Sequence, residues 1–121
     1  YFMTIDEFIN IEDNSVDLIY ASHSLEHVSD IDTTINNFKR IASPNCKVFF
    51  EVPNADYLEN GSQSNTIDEP HTYYFTYKYF EKMLSKIILL KTYNGNYDLD
   101  EFENISNFSN EHNSLIIIGE L

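Results

Sequence analysis

The stretch that most constrains this chain is Val16–Val28, Val-Asp-Leu-Ile-Tyr-Ala-Ser-His-Ser-Leu-Glu-His-Val. Val16, Leu18, Ile19, Tyr20 and Ala21 form a short, nearly continuous apolar run, which reads as a strand buried on both faces of a parallel sheet. The run gives way at once to Ser22, His23, Ser24, Glu26 and His27. In open α/β sheets, ligands sit just beyond the carboxyl ends of the strands. That polar rim is therefore the candidate site.

The residues around it read as layers of the same kind of fold. Ile9-Asn10-Ile11 is a candidate short strand, and Glu12-Asp13-Asn14-Ser15 a turn. Ser24 opens a short helical turn through His27. Ser29 or Asp30 then caps a firmer helix, with Ile31, Ile35, Phe38, Ile41 and Ala42 on one face and Lys39 and Arg40 in its last turn. Ser43-Pro44-Asn45 stops it. Lys47–Val52 is a second strand, closed by Pro53-Asn54, so the unit is βαβ. Residues 56–70 are polar and turn-rich, a lid-like loop. Thr76 caps a predicted helix from Tyr77 to Lys86, whose core face is Tyr79, Phe80, Met83 and Leu84, with Lys78, Lys82 and Lys86 as a solvated stripe. Ile87–Tyr93 and Ser114–Leu121 read as strands. The segment 94–113 between them is an irregular polar insertion, with one helical turn expected near Leu99–Phe102.

Charge narrows the partners. Twenty acidic side chains against seven basic ones leave a formal net charge of −13. Such a field repels nucleic acid, whose affinity for proteins comes mainly from clustered Lys and Arg, and it disfavours anionic membrane surfaces as well. The longest apolar runs are too short to span a bilayer. A single cysteine, Cys46, allows no internal disulfide, which fits a cytoplasmic setting.

Several segments, taken in order, resemble a known family. Asp13–Val28 resembles the fourth-strand region of class I S-adenosylmethionine-dependent methyltransferases. Arg40-Ile41-Ala42-Ser43-Pro44 resembles the helix end and turn before their fifth strand. Glu51-Val52-Pro53-Asn54, then Pro70-His71 with Tyr74-Phe75-Thr76, resembles the next part of the chain in many members. The likeness runs from Asp13 to Leu84 and implies an α/β chain, a partial Rossmann-like methyltransferase fold with parallel strands and a terminal antiparallel pair. Two departures stand out. The glycine-rich cofactor loop is absent, since Gly61, Gly95 and Gly119 are scattered. The usual Pro-Gly-Gly turn appears as Pro44-Asn45-Cys46. Residues 1–121 thus resemble, as one domain, the C-terminal half of such an enzyme, with the start of the protein expected upstream of Tyr1.

The resemblance implies S-adenosyl-L-methionine as cofactor, approached by Ala21, Ser22, His23 and Leu25 when the N-terminal half is supplied. It places Pro53, Asn54, His71 and Tyr74 on the substrate side. His27 or His23 is the candidate general base, since imidazole titrates near neutrality; the plainer alternative is that His27 only bonds backbone at a helix start. Spacing i, i+3, i+4 brings His23, Glu26 and His27 onto one face of a helical turn. A divalent metal held by Glu26, His27 and His71 is a further option, as in small-RNA 2′-O-methyltransferases, which the segment faintly resembles. Glu51, inside an apolar strand, either points into the site or pairs with Lys47, and pairing is the expectation. The expected activity is methyl transfer to a small molecule or a glycan or lipid-linked intermediate. The competing reading is a truncated, non-catalytic module that self-associates, as a homodimer, through the exposed edge of strand 16–21.

Overall fold

A computed structural model of the chain describes residues 5–59, 73–93 and 113–121. The polypeptide enters as a 3-10 helix, Ile5–Asn10, in place of the strand that the sequence suggests over Ile9–Ile11. Two anchors explain the difference. The Phe8 ring meets Phe38 edge-on at 5.3 Å, and the Arg40 guanidinium donates to the carbonyls of Phe8 and Ile11 at 2.7 and 2.8 Å while also pairing with Asp13. Carbonyls gathered on one cation cannot run along a sheet edge.

Strand β1, Val16–Ser22, comes after a turn in which Asn14 adopts a positive φ of 56°, a conformation that Asn tolerates better than most residues. Helix α1, Ile31–Ile41, buries Ile31, Thr34, Ile35, Phe38 and Ile41, the three-and-four spacing of an amphipathic helix. Its cap is Asp30, whose carboxylate accepts from the Thr33 backbone N–H at 3.1 Å and from the Thr33 hydroxyl at 2.8 Å. Strand β2 runs Ala42–Pro53, starting five residues before the predicted Lys47. Ala42 pairs with Val16, and the ladder then resumes at Leu18–Lys47. Ser43-Pro44-Asn45 therefore bulges from the strand, a place suited to a proline that lacks an N–H.

A short helix α2, Ala55–Glu59, opens the expected loop. Helix α3 spans Tyr77–Met83 and ends before Lys86, which begins β3, Lys86–Tyr93. The three-lysine stripe is thus broken: Lys86 stands on a strand. Thr76 occupies the N-cap position without a side-chain cap bond. Strand β4, Ser114–Glu120, completes a sheet of order β1-β2-β4-β3 among the described residues. β1 and β2 are parallel, and β4 lies antiparallel between β2 and β3. The expected helical turn at 99–102, and His71 in the loop, lie outside the described residues.

The main hydrophobic cluster lies on one face of this sheet, while Ile116 is buried on the other. Ile19, Ala21, Val48, Phe50, Val52, Leu90, Leu115 and Ile117 are buried against Ile35, Phe38, Ile41 and Phe80. The Phe50 ring sits 6.0 Å from Phe38 and 5.8 Å from Phe80, joining α1 and α3 across the sheet. On the other face, Leu18 is 61% exposed and Tyr20 65% exposed, and Tyr20 stacks on Phe49 at 4.9 Å. β1 is therefore buried on one face, not two. Its apolar run is continuous because both faces carry apolar side chains, but the described helices cover only one of them.

Candidate functional site at the carboxyl ends of β1 and β2

Parallel pairing sets Ser22, the last residue of β1, against Glu51 of β2. The next residue, His23, turns the chain sharply, with φ at +46°. A left-handed conformation costs a non-glycine residue about 1–3 kcal/mol and persists only where its surroundings over-determine it. Here the His23 backbone N–H donates to the Glu51 carbonyl at 2.9 Å. The Ser22 hydroxyl donates to Glu51 Oε2 at 2.6 Å, and His23 Nε2 lies 3.2 Å from Glu51 Oε1.

Leu25–His27 then forms a single 3-10 turn, closed by the His27 N–H on the Ser24 carbonyl. Leu25 points into the core, while Glu26 is also buried. Glu26 Oε1 lies 3.5 Å from His23 Nδ1 and 3.9 Å from His27 Nε2. Its Oε2 is buried without a hydrogen-bond partner. The two imidazoles are about half exposed, at 50% and 46%, whereas the carboxyl side chains beside them are 1% and 2% exposed. Histidines face outward at the strand ends and carboxylates stand behind them.

Tyr73 straps this turn to α1. Its N–H donates to the Glu26 carbonyl at 3.1 Å. Its hydroxyl accepts from the Ile31 N–H and donates to the Ser29 carbonyl, both at 3.3 Å. Tyr74, next in the chain, is about half exposed. Pro53 is half-buried at the end of β2. Asn54 is fully buried: its N–H donates to the Asn113 carbonyl at 2.8 Å, and it bridges to Phe75. Asn54 thus holds three chain segments together. Among the described residues, no group of three His, Cys, Asp or Glu side chains could hold a metal ion. The imidazole nitrogens diverge, so Glu26 and Glu51 stand on opposite sides of the His23 ring rather than converging on one point.

The expected Glu51–Lys47 pair does not form. Four residues along a strand separate their Cα atoms by about 13 Å. Lys47 instead pairs with Glu120, its partner across the ladder. The sequence signal that would have found Glu51 is its position: an acid near the carboxyl end of a strand beside one ending in Ser-His.

A groove of about 270 Å³ runs along the edge of β1 that no described strand pairs with, reaching Ala21, Ser24 and Leu25 at the turn and Phe8, Ile11 and Phe38 below it. Apolar side chains dominate it. Two residues expected at the cofactor, Ala21 and Leu25, are among those that line it.

The family model for the methyltransferase domain matches residues 3–109. The chain belongs to that family. The fold agrees with solved methyltransferases at identities that speak for architecture alone. A SAM-dependent methyltransferase from Archaeoglobus fulgidus aligns with a TM-score of 0.67 at 13% identity, over 97% of this chain and 64% of that one. A chain in the complex between the Haloferax volcanii Trm112 methyltransferase activator and the putative methyltransferase aligns at 0.63 and 13%, over 91% and 55%. A SAM-dependent methyltransferase from Thermotoga maritima, described as a possible histamine N-methyltransferase, aligns at 0.63 and 15%, over 90% and 57%. This methyltransferase-family chain therefore spans between 55% and 64% of the proteins it resembles. No curated protein gives a match. No described helix is long and apolar enough to cross a membrane.

Proposed function

We propose that this chain is the C-terminal half of an S-adenosylmethionine-dependent methyltransferase acting on a small molecule or a glycan or lipid-linked intermediate in the cytoplasm. The observation that carries the reading is the left-handed turn at His23, pinned to Glu51 where β1 and β2 end. Such a turn presents backbone at the lip of a parallel sheet, where ligands of this fold class bind. The cofactor would supply an electrophilic methyl group on a sulfonium. Ala21, Ser22, His23 and Leu25 form one wall for it, beside the groove along β1. His27 or His23 removes the acceptor's proton, and Pro53 and Tyr74 stand on the acceptor side, with Asn54 fixing the backbone behind them. Alignment of the reacting groups supplies most of the rate in such a displacement.

A calorimetric titration with S-adenosylhomocysteine tests this, on the chain alone and on the chain joined to whatever polypeptide precedes Tyr1 in its reading frame. Saturable binding in either form supports the reading; none in both refutes it.

A second reading draws on the exposed Leu18 and Tyr20 side chains of β1 and on its outer edge, which pairs with no strand among the described residues. An open edge with flanking apolar side chains invites strand pairing. In it, the chain acts through protein contacts, as a homodimer across β1 or with a partner. One similar solved structure is itself a complex with an activator protein. Sedimentation equilibrium separates the two: a monomer at high concentration removes the homodimer.

A further inference from the structure

Glu51 has an unusual share of the bonds at the lip. Its backbone carbonyl accepts from the His23 N–H at 2.9 Å. Its carboxylate accepts from the Ser22 hydroxyl at 2.6 Å and lies 3.2 Å from His23 Nε2. The side chain is 2% exposed. The residue it grips is the one with φ at +46°, and strained backbone of that kind needs its neighbours to hold it. On the far side of the ring, His23 Nδ1 faces Glu26 Oε1 at 3.5 Å.

We propose that Glu51 is the positioning residue of this site: it holds the Ser22–His23 turn in its left-handed form and fixes the His23 ring between two buried carboxylates. The consequence for chemistry rests on the methyltransferase reading. With Nε2 hydrogen-bonded to Glu51 Oε1 at 3.2 Å and Glu26 Oε1 3.5 Å from Nδ1, the ring's orientation is set by two buried side chains. His23 then serves to place the backbone that meets the cofactor. Glu51 acts through its neighbours, and its contribution to catalysis is geometric.

The test uses the full chain, isotopically labelled, as wild type, Glu51→Ala, Glu51→Gln and the control Glu120→Gln, which removes a carboxylate charge elsewhere on the same sheet. Magnetic resonance reads the left-handed signature of His23 through its intraresidue N–H to Hα contact. It also reads the exchange rate of the His23 Nε2 proton. Circular dichroism reports whether each variant folds. Glu51→Ala is expected to lose the left-handed signature and to speed ring-proton exchange. Glu51→Gln, which keeps an acceptor oxygen, retains the signature, and Glu120→Gln changes neither. An unchanged His23 in folded Glu51→Ala overturns the proposal. Should Glu51→Ala not fold, the wild type decides: a slowly exchanging Nε2 proton in contact with the Glu51 side chain supports the assignment, and its absence overturns it. Where the wild type binds S-adenosylhomocysteine, Glu51→Ala weakens that binding about tenfold. A wild type that does not bind it, yet shows the expected His23 behaviour, refutes the cofactor reading and leaves the positioning role standing.

Discussion

Phe50 and Tyr20 occupy neighbouring strands of one sheet and point to opposite faces, so truncating each tests whether the core is one-sided. Phe50 is fully buried, with the rings of Phe38 and Phe80 about it. Replacing it with alanine removes the apolar contact between α1, α3 and the sheet and leaves a cavity that neighbouring rings only partly fill. The expected loss is about 4 kcal/mol. For 121 residues, total stability is about 6–18 kcal/mol. That single change therefore removes between about a fifth and two thirds of it, a fall in melting temperature of about 15 °C. Tyr20, 65% exposed, forfeits mainly its stack on Phe49, about 1 kcal/mol or less. Urea unfolding of both variants, followed by circular dichroism, measures the difference. Equal losses, or a larger loss at Tyr20, would refute the one-sided core.

Other perturbations act on single contacts. A methyl at Gly119 would run into the Lys86 backbone carbonyl and Leu84, so Gly119→Ala should destabilise by about 2 kcal/mol in the same unfolding assay. Bonds from the Thr33 hydroxyl and backbone N–H hold the Asp30 carboxyl below its ordinary value. A lowered folded value means the cap's contribution is present above the unfolded aspartate range and is lost as pH falls through the folded value. Asp30→Asn should flatten that acid limb of the stability–pH curve without removing the cap. Burial, with Asp17 nearby, pushes the Cys46 thiol up, so a thiol reagent at neutral pH should label it only as fast as the chain unfolds. Arg40→Ala should release the first helix, held at the Phe8 and Ile11 carbonyls, from α1 and cost about 2 kcal/mol in the unfolding assay, for the loss of a cation bonded to two backbone carbonyls.

What the sequence disclosed is what depends on neighbours along the chain. Asp30 ahead of apolar residues at three-and-four spacing marks α1 because cap and period act within one turn. The antiparallel pair near 87–93 and 114–121 is legible through β-branched content and the family resemblance. The partner of Glu51 is not. Its choice between Lys47 and Ser22–His23 is set by inter-strand register, which brings residues 28 and 29 positions apart into contact. The continuous apolar run of β1 likewise does not say which of its faces a helix covers. Helix α3 ends three residues short of the predicted Lys86, since lysine spacing alone does not mark where a helix yields to a strand. Glu26 is legible as a candidate by its interval from His23, but not as a buried carboxylate with a bare oxygen.

The apolar side chains on the back of the sheet sit within a molecule with a formal net charge of −13. In dilute buffer, like-charge repulsion between copies opposes contact through that surface; added electrolyte screens the repulsion and leaves the apolar attraction intact. Colloidal behaviour should thus run opposite to that of a protein held together by ion pairs, with salt drawing copies together and its removal setting them apart.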